Sequence, residues 1–238
     1  MSDTEFDEDW QAWHKARLRT VTAPHGLASL VGTHWLSPDP QPVEGLEGEW
    51  SLDGAAIVGP TFTIDEGGEV LLGGRLLRNH RRDDDVALRI LDPDAPSRAS
   101  VADIEAYEPD PAWVLKGHFR PADGERIDVT EIDGYVENQE LAGVVEVEVA
   151  GQKLELLATG PLTRLHVVFK DATSGEESYR FRFLFLRADA GSGEIEVDFN
   201  RAVLPPCAFA DFYLCPLPAP QNVIEAPVRA GEKQVVRH

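Results

Sequence analysis

The sequence contains no apolar run approaching the roughly 18 residues that a membrane helix needs. Its opening, Met1-Ser2-Asp3-Thr4-Glu5, is acidic and lacks the basic-then-apolar order of a secretory signal. A cytoplasmic location is therefore the expectation. Basic residues are scarce as well: 22 Lys and Arg stand against 42 Asp and Glu, for a net charge of −20. Nucleic acid and anionic membrane drop out as expected partners, since each calls for a basic surface. The acidity itself reads as a solubilising surface. Cysteine is limited to Cys207 and Cys215, too few for a disulfide framework. In a reducing cytosol they read as two buried thiols behaving as small apolar side chains.

Short catalytic signatures are missing too. There is no G-x-S-x-G, Walker loop, G-x-G-x-x-G or H-E-x-x-H, and those chemistries depend on local spacing. The histidines (His14, His25, His34, His80, His118, His166 and His238) are too dispersed to give one element a pair of metal ligands. Seven residues separate the cysteines, unlike the short spacing of a zinc hook. No metal and no cofactor are assigned on these grounds. A nucleophilic cysteine needs a basic neighbour or a helix N-terminus. Nothing adjacent in sequence provides one, so a distant His34, His80 or His118 would have to.

What is present is mainly β. Residues 3–19 are the helical exception, with Phe6, Trp10 and Trp13 on one face, acids in the first turns and bases in the last. Residues 25–36 form a short element of uncertain type. Ser37-Pro38-Asp39-Pro40-Gln41-Pro42 reads as a loop, since its prolines exclude regular structure. From Glu49 onward, short strands alternate with turn signals such as Asp53-Gly54, Gly67-Gly68 and Gly73-Gly74. Strands are expected within 50–52, 61–65, 69–72, 86–91, 113–119, 127–132, 144–149, 154–157, 165–169, 179–186 and 195–197. This spacing predicts an antiparallel β-sandwich or barrel-like domain, with no strand–helix alternation to suggest a parallel sheet. One domain spanning 1–238 is expected: a helical segment over 1–36, a sheet body over 49–198 and a strap over 199–233.

The strap is stiffened by Pro205, Pro206, Pro216, Pro218, Pro220 and Pro227, and carries Cys207, Phe209, Phe212, Tyr213 and Cys215 between them. So apolar a segment is not left in water, and prolines reduce the entropy lost on ordering it. It is predicted to press onto the sheet, its backbone groups satisfied by side chains or by the sheet, with Asn200 and Asn222 suited to the bridging.

Two clusters carry polar chemistry. Asn79-His80-Arg81-Arg82, followed by Asp83-Asp84-Asp85, reads as a solvated hairpin with offsetting charges. Its functional alternative is an anion site gripped by Arg81 or Arg82. Asp171-Ala172-Thr173-Ser174-Gly175 reads as a turn in which Asp171 bonds nearby backbone and Gly175 takes positive φ.

Several separated motifs resemble the DUF1684 family. They are Gly32-Thr33-His34-Trp35-Leu36, Phe169-Lys170-Asp171-Ala172-Thr173-Ser174-Gly175 with Tyr179, Asp198-Phe199-Asn200-Arg201-Ala202, Pro206-Cys207-Ala208-Phe209, Cys215-Pro216-Leu217-Pro218 with Asn222, and Ala230-Gly231-Glu232-Lys233. The family pattern often has Ala-Tyr-Asn-Pro where this chain has Ala202-Val203-Leu204-Pro205. It often has a Gly-Arg pair where Arg180-Phe181-Arg182-Phe183 stands here. The resemblance implies the extent of the domain and no activity.

The functional expectation is a small-molecule-binding β domain, or an enzyme, with its pocket between sheet and strap. Trp35, Asp171, Thr173, Tyr179 and Asn200 are candidate ligand contacts. His34, Asp198 and Cys207 are candidates for catalysis, His34 because an imidazole titrates near neutrality. The rival is a non-catalytic scaffold that forms a homodimer through the strap or a sheet edge. A cysteine-based redox or metal protein is the third alternative.

Overall fold

The computed structural model describes residues 2–188 and 193–238. The chain gathers into two compact units. The amino-terminal unit comprises residues 17–101 and 209–213, with His238; the carboxy-terminal unit comprises the remaining described residues. Helix α1 (Asp3–Val21) contributes to both. Its predicted face is the buried one, with Phe6 and Trp10 enclosed. The Trp10 indole donates to the Asn200 carbonyl at 2.8 Å, so the buried N–H is satisfied.

The amino-terminal unit consists of two four-stranded antiparallel sheets. One orders β1 (Leu30–Trp35), β8 (Asp85–Leu91), β7 (Arg75–Arg82) and β6 (Glu69–Leu72). The other orders β2 (Gln41–Pro42), β3 (Glu49–Asp53), β4 (Ala56–Val58) and β5 (Thr63–Ile64). Alternate residues point inward, and Val43, Trp50, Ile57, Ile64, Leu77, Leu88 and Ile90 meet in one core. The element of uncertain type is a 3₁₀ turn, Leu27–Ser29, leading into β1. Contrary to the loop expected there, Pro42 ends a two-residue strand opposite Glu49. An edge strand tolerates a proline because no ladder donor is needed on its open side. The basic cluster belongs to β7 and closes a hairpin in which Arg82 faces Asp85. Asp83 takes φ 49° there, a conformation that Asp tolerates better than most residues.

A short helix α2 (Pro96–Ser100) leads into β9 (Val101–Ala106), which pairs with the final strand, β17 (Glu232–Arg237). The main sheet of the carboxy-terminal unit is antiparallel. It orders β15 (Arg182–Leu186), β14 (Leu165–Phe169), β13 (Gln152–Thr159), β12 (Val136–Val149), β10 (Val114–Pro121) and β16 (Gly193–Asp198). Strand β11 (Arg126–Thr130) pairs with the first half of β12. A bulge separates the two halves at Leu141/Gly143. Gly143 is required there: a Cβ would sit 2.4 Å from the Arg120 carbonyl and 2.6 Å from the Phe119 ring. Phe119, Val145, Leu156, Val167, Phe169, Leu184, Val197 and Phe199 form the core.

One discontinuity in this sheet positions the site. Strands β13 and β14 pair only at Thr159 and His166, and beyond that point they part. Strap residues Asn222–Ile224 fill the gap. Val223 bridges Lys170 in parallel, and the Ile224 N–H donates to the Lys170 carbonyl at 2.8 Å.

Candidate functional site

The strap is held by side-chain bonds and by backbone bonds to the sheet. Asn222 acts as a clasp across the parted strands. Its Nδ2 donates to the carbonyls of Leu157 (3.0 Å) and Val168 (2.8 Å), and its Oδ1 accepts from Leu157 N at 2.7 Å. Upstream, the Ile132 N–H donates to the Cys215 carbonyl and the Leu217 N–H to the Thr130 carbonyl, so the strap also lies along the end of β11. Val203 and Phe183 exchange backbone bonds at 2.8 and 2.9 Å.

The second fastening is a buried ion pair. Asp171 and Arg182 are both fully enclosed, and Arg182 Nη2 meets Asp171 Oδ1 at 3.0 Å. The guanidinium also donates to the carbonyls of Val228 and Ala230. The carboxylate accepts from Thr173 N–H and O–H, from the Ser174 hydroxyl and from Val228 N–H. Burial works against the guanidinium's charge and Asp171 supports it. Asp171 and Thr173, proposed above as ligand contacts, are thus engaged with the protein itself. The turn expected over 171–175 is present, with Gly175 at φ 84°. Glu232, buried on the same segment, accepts from Leu204 N–H at 2.6 Å.

Asp198 and Asn200 are similarly engaged. Asp198 caps the 3₁₀ turn Phe199–Arg201, accepting from Asn200 N and Nδ2 at 2.9 Å. Asn200 in turn exchanges bonds with the Asp110 backbone. His34 and Trp35 lie on β1 in the amino-terminal unit. Burial lowers the His34 pKa, with Glu44 opposing. Trp35 carries the Arg82 guanidinium over its ring at 4.4 Å. On that sheet face His80 is pushed down to about 4 by burial and by Arg89, Arg82 and Arg78. Arg81 is held by Glu66 at 2.6 Å.

Tyr179 and Cys207 are brought together. The phenol lies 3.7 Å from Cys207 Sγ, and the Cys207 N–H donates to Cys215 Sγ at 3.3 Å. The Cys207 pKa falls to about 7, chiefly through its contact with Cys215 and further through Tyr179 and Arg180, against the effect of burial. The basic help that adjacent sequence could not offer therefore comes from Arg180. No histidine is among the groups shifting this thiol.

A cavity of about 250 Å³ lies where the strands part, between sheet and strap. Ile127, Val129, Leu157, Val168, Leu217 and Ala219 give it apolar walls; Gln139, Thr159, His166 and Asn222 are its polar members. None of the candidate ligand or catalytic residues named from the sequence lines it, because the lining comes from strands that only the strap's insertion separates. The His166 ring stacks on Phe185 and meets Phe183 edge-on, and its buried Nε2 has no hydrogen-bond partner among the described residues. Burial, with Arg164 adding to it, pushes its pKa down to about 4, so it is neutral at neutral pH. A wider cleft of about 580 Å³, lined by Trp50, Phe62, Arg75, Asp92 and Asp94 among others, belongs to the amino-terminal unit. Among the described residues there is no cluster of three or more potential metal ligands, and no helix is long and apolar enough to cross a membrane.

No curated protein matches the chain. Among solved structures, an uncharacterised protein of Haloarcula marismortui, determined by solution NMR, is 28% identical; the similarity covers 55% of this chain and 75% of that one, with a TM-score of 0.46. The model of the DUF1684 family, described as proteins of unknown function, matches residues 99–233. That span takes in the parted strands, the Asp171–Arg182 pair, both cysteines and the whole strap, while Gly32–Leu36 falls outside it. The chain belongs to the DUF1684 family.

Proposed function

We propose that the carboxy-terminal unit is a binding module for a small, largely apolar molecule carrying one hydrogen-bonding group, seated between the parted strands and the strap. The observation that carries this reading is the His166 imidazole, which lines a largely apolar cavity and whose buried Nε2 has no hydrogen-bond partner among the described residues. Polar groups in protein interiors are normally paired, so an unpaired one beside a cavity points to a partner supplied from outside. The volume corresponds to about eight waters' share of liquid. It lies below the usual range for drug-sized ligands of about 300–1,000 Å³, so the ligand is small. A neutral imidazole can donate or accept, which fits an alcohol, amide or phenol rather than an anion. The strap cavity is preferred over the wider cleft because it lies wholly within the family's matched residues. A reducing cytoplasm completes the proposal, since both cysteines stand as free thiols.

Thermal-shift titration of the full chain with a panel of small phenols, alcohols and amides tests this reading. Stabilisation is expected in the parent protein, and its loss in Ala219→Phe, which fills the cavity from a backbone conformation any residue can adopt (φ −60°, ψ 153°). Equal responses from the two proteins, or none from the parent, would remove the proposal.

A further inference from the structure

Cys207 and Cys215 stand at the two ends of a loop, and their environments differ. Cys207 retains 9% of its surface, Cys215 only 2%. The Cys207 sulfur has the Tyr179 hydroxyl at 3.7 Å and the Arg180 side chain nearby; the Cys215 sulfur lies against the Cys207 backbone N–H at 3.3 Å. Cys215, Tyr179 and Arg180 are the groups that act on Cys207, and together they favour its thiolate. Of the loop between the cysteines, residues 209–213 count with the amino-terminal unit, whereas both cysteines count with the carboxy-terminal one.

We propose that this pair is a peroxide-reactive dithiol, with Cys207 the attacking sulfur and Cys215 the resolving one. The inference is independent of the cavity reading. The Cys207 thiolate attacks one oxygen of a hydroperoxide, the O–O bond breaks, and Cys207 becomes a sulfenic acid. The departing alkoxide or hydroxide takes a proton, for which the Tyr179 hydroxyl, 3.7 Å from the sulfur, is a donor, itself replenished from water. The Cys215 sulfur then attacks the Cys207 sulfur. The S–O bond breaks, and hydroxide leaves as water with the proton from Cys215. In sum, two thiols and one hydroperoxide give one disulfide, one alcohol (or water) and one water. The disulfide closes the loop across residues 208–214. Cytosolic disulfides are mostly transient and redox-sensing, and this pair fits that class.

Hydrogen peroxide added to the reduced full-length protein tests the proposal by intact mass and thiol titration. The parent is expected to lose 2 Da and both thiols, and to recover both on reduction. Cys215→Ser is expected to stop at a single added oxygen, trapped by a sulfenic-acid reagent. Cys207→Ser is expected to slow thiol loss at least tenfold. Arg180→Gln is expected to move the pH midpoint of Cys207 alkylation upward, a readout that a purely structural arginine would leave in place. Retention of both thiols by the folded parent would overturn the proposal without recourse to any variant. So would a Cys207→Ser protein, folded by circular dichroism, that loses its remaining thiol at the parent's rate.

Discussion

Exposed ion pairs occur in both units, and the carboxy-terminal one also encloses a pair fully. In the amino-terminal unit the ion pairs lie at the sheet margins: Arg81 and Glu66 meet at 2.6 Å with side chains 44% and 55% exposed. In the carboxy-terminal unit Arg182 and Asp171 meet at 3.0 Å with neither exposed. The first arrangement joins neighbours across a hairpin that would form without it. The second joins a turn, a strand and the strap's distal part, segments that share no local reason to be together. The exposed pair is incidental to its architecture, and the enclosed pair fastens its own.

That contrast predicts a descending series of effects. Asp171→Ala strands the enclosed Arg182 cation and unpairs Val228 N–H, and is expected to cost about 3–5 kcal/mol in denaturant unfolding, the range for breaking a buried pair. Asn222→Ala leaves the edges of both β13 and β14 without their clasp; a loss of about 1–3 kcal/mol is expected, as for buried groups deprived of a partner. Arg81→Ala is expected to leave the unfolding midpoint unchanged within error, since exposed pairs contribute little. If Arg81→Ala were as damaging as Asp171→Ala, the contrast between the units would be gone.

A pH series sharpens the same comparison. His166 titrates near 4 when folded and near its ordinary 6.5 when unfolded. Between these values the unfolded chain binds the extra proton, so stability falls as pH drops from about 6.5 toward 4 and is regained above it. His166→Phe is expected to flatten this slope. His80, also held near 4, adds its own share of the acid loss in the amino-terminal unit. An unaltered slope in His166→Phe would place the acid sensitivity elsewhere.

The difference between the units also explains what the sequence disclosed. Strand β14 falls where Leu165–Phe169 predicts it, and the Asp171–Gly175 turn follows from turn chemistry acting over five residues. The strap was legible because prolines interleaved with aromatics have few other outcomes. Strand β7 was harder to see: its inward positions include the buried Asn79, which donates to Ala55 and Ile64 carbonyls, so the apolar alternation breaks. The pairing of β9 with β17 was not legible, since these short, mixed strands are far apart in the chain. Arg182 carries a signal in its spacing. It shares a strand face with Leu184 and Leu186, and an arginine in that position is either exposed or enclosed with a partner. Only the fold identifies Asp171 as that partner. The cavity is the extreme case, made by two strands that part and by a distant asparagine that holds them.

Amide hydrogen exchange of the full-length protein, read residue by residue, tests most directly whether buried polar bonds fasten the strap. Leu157, Leu204, Ile224 and Val228 donate to Asn222 Oδ1, Glu232 Oε2, the Lys170 carbonyl and Asp171 Oδ2. The account predicts that all four exchange as slowly as core amides of β12 and β13, and that Val228 alone speeds up markedly in a folded Asp171→Asn protein. Exchange of Leu204, Ile224 and Val228 at the rate of an open loop would contradict it.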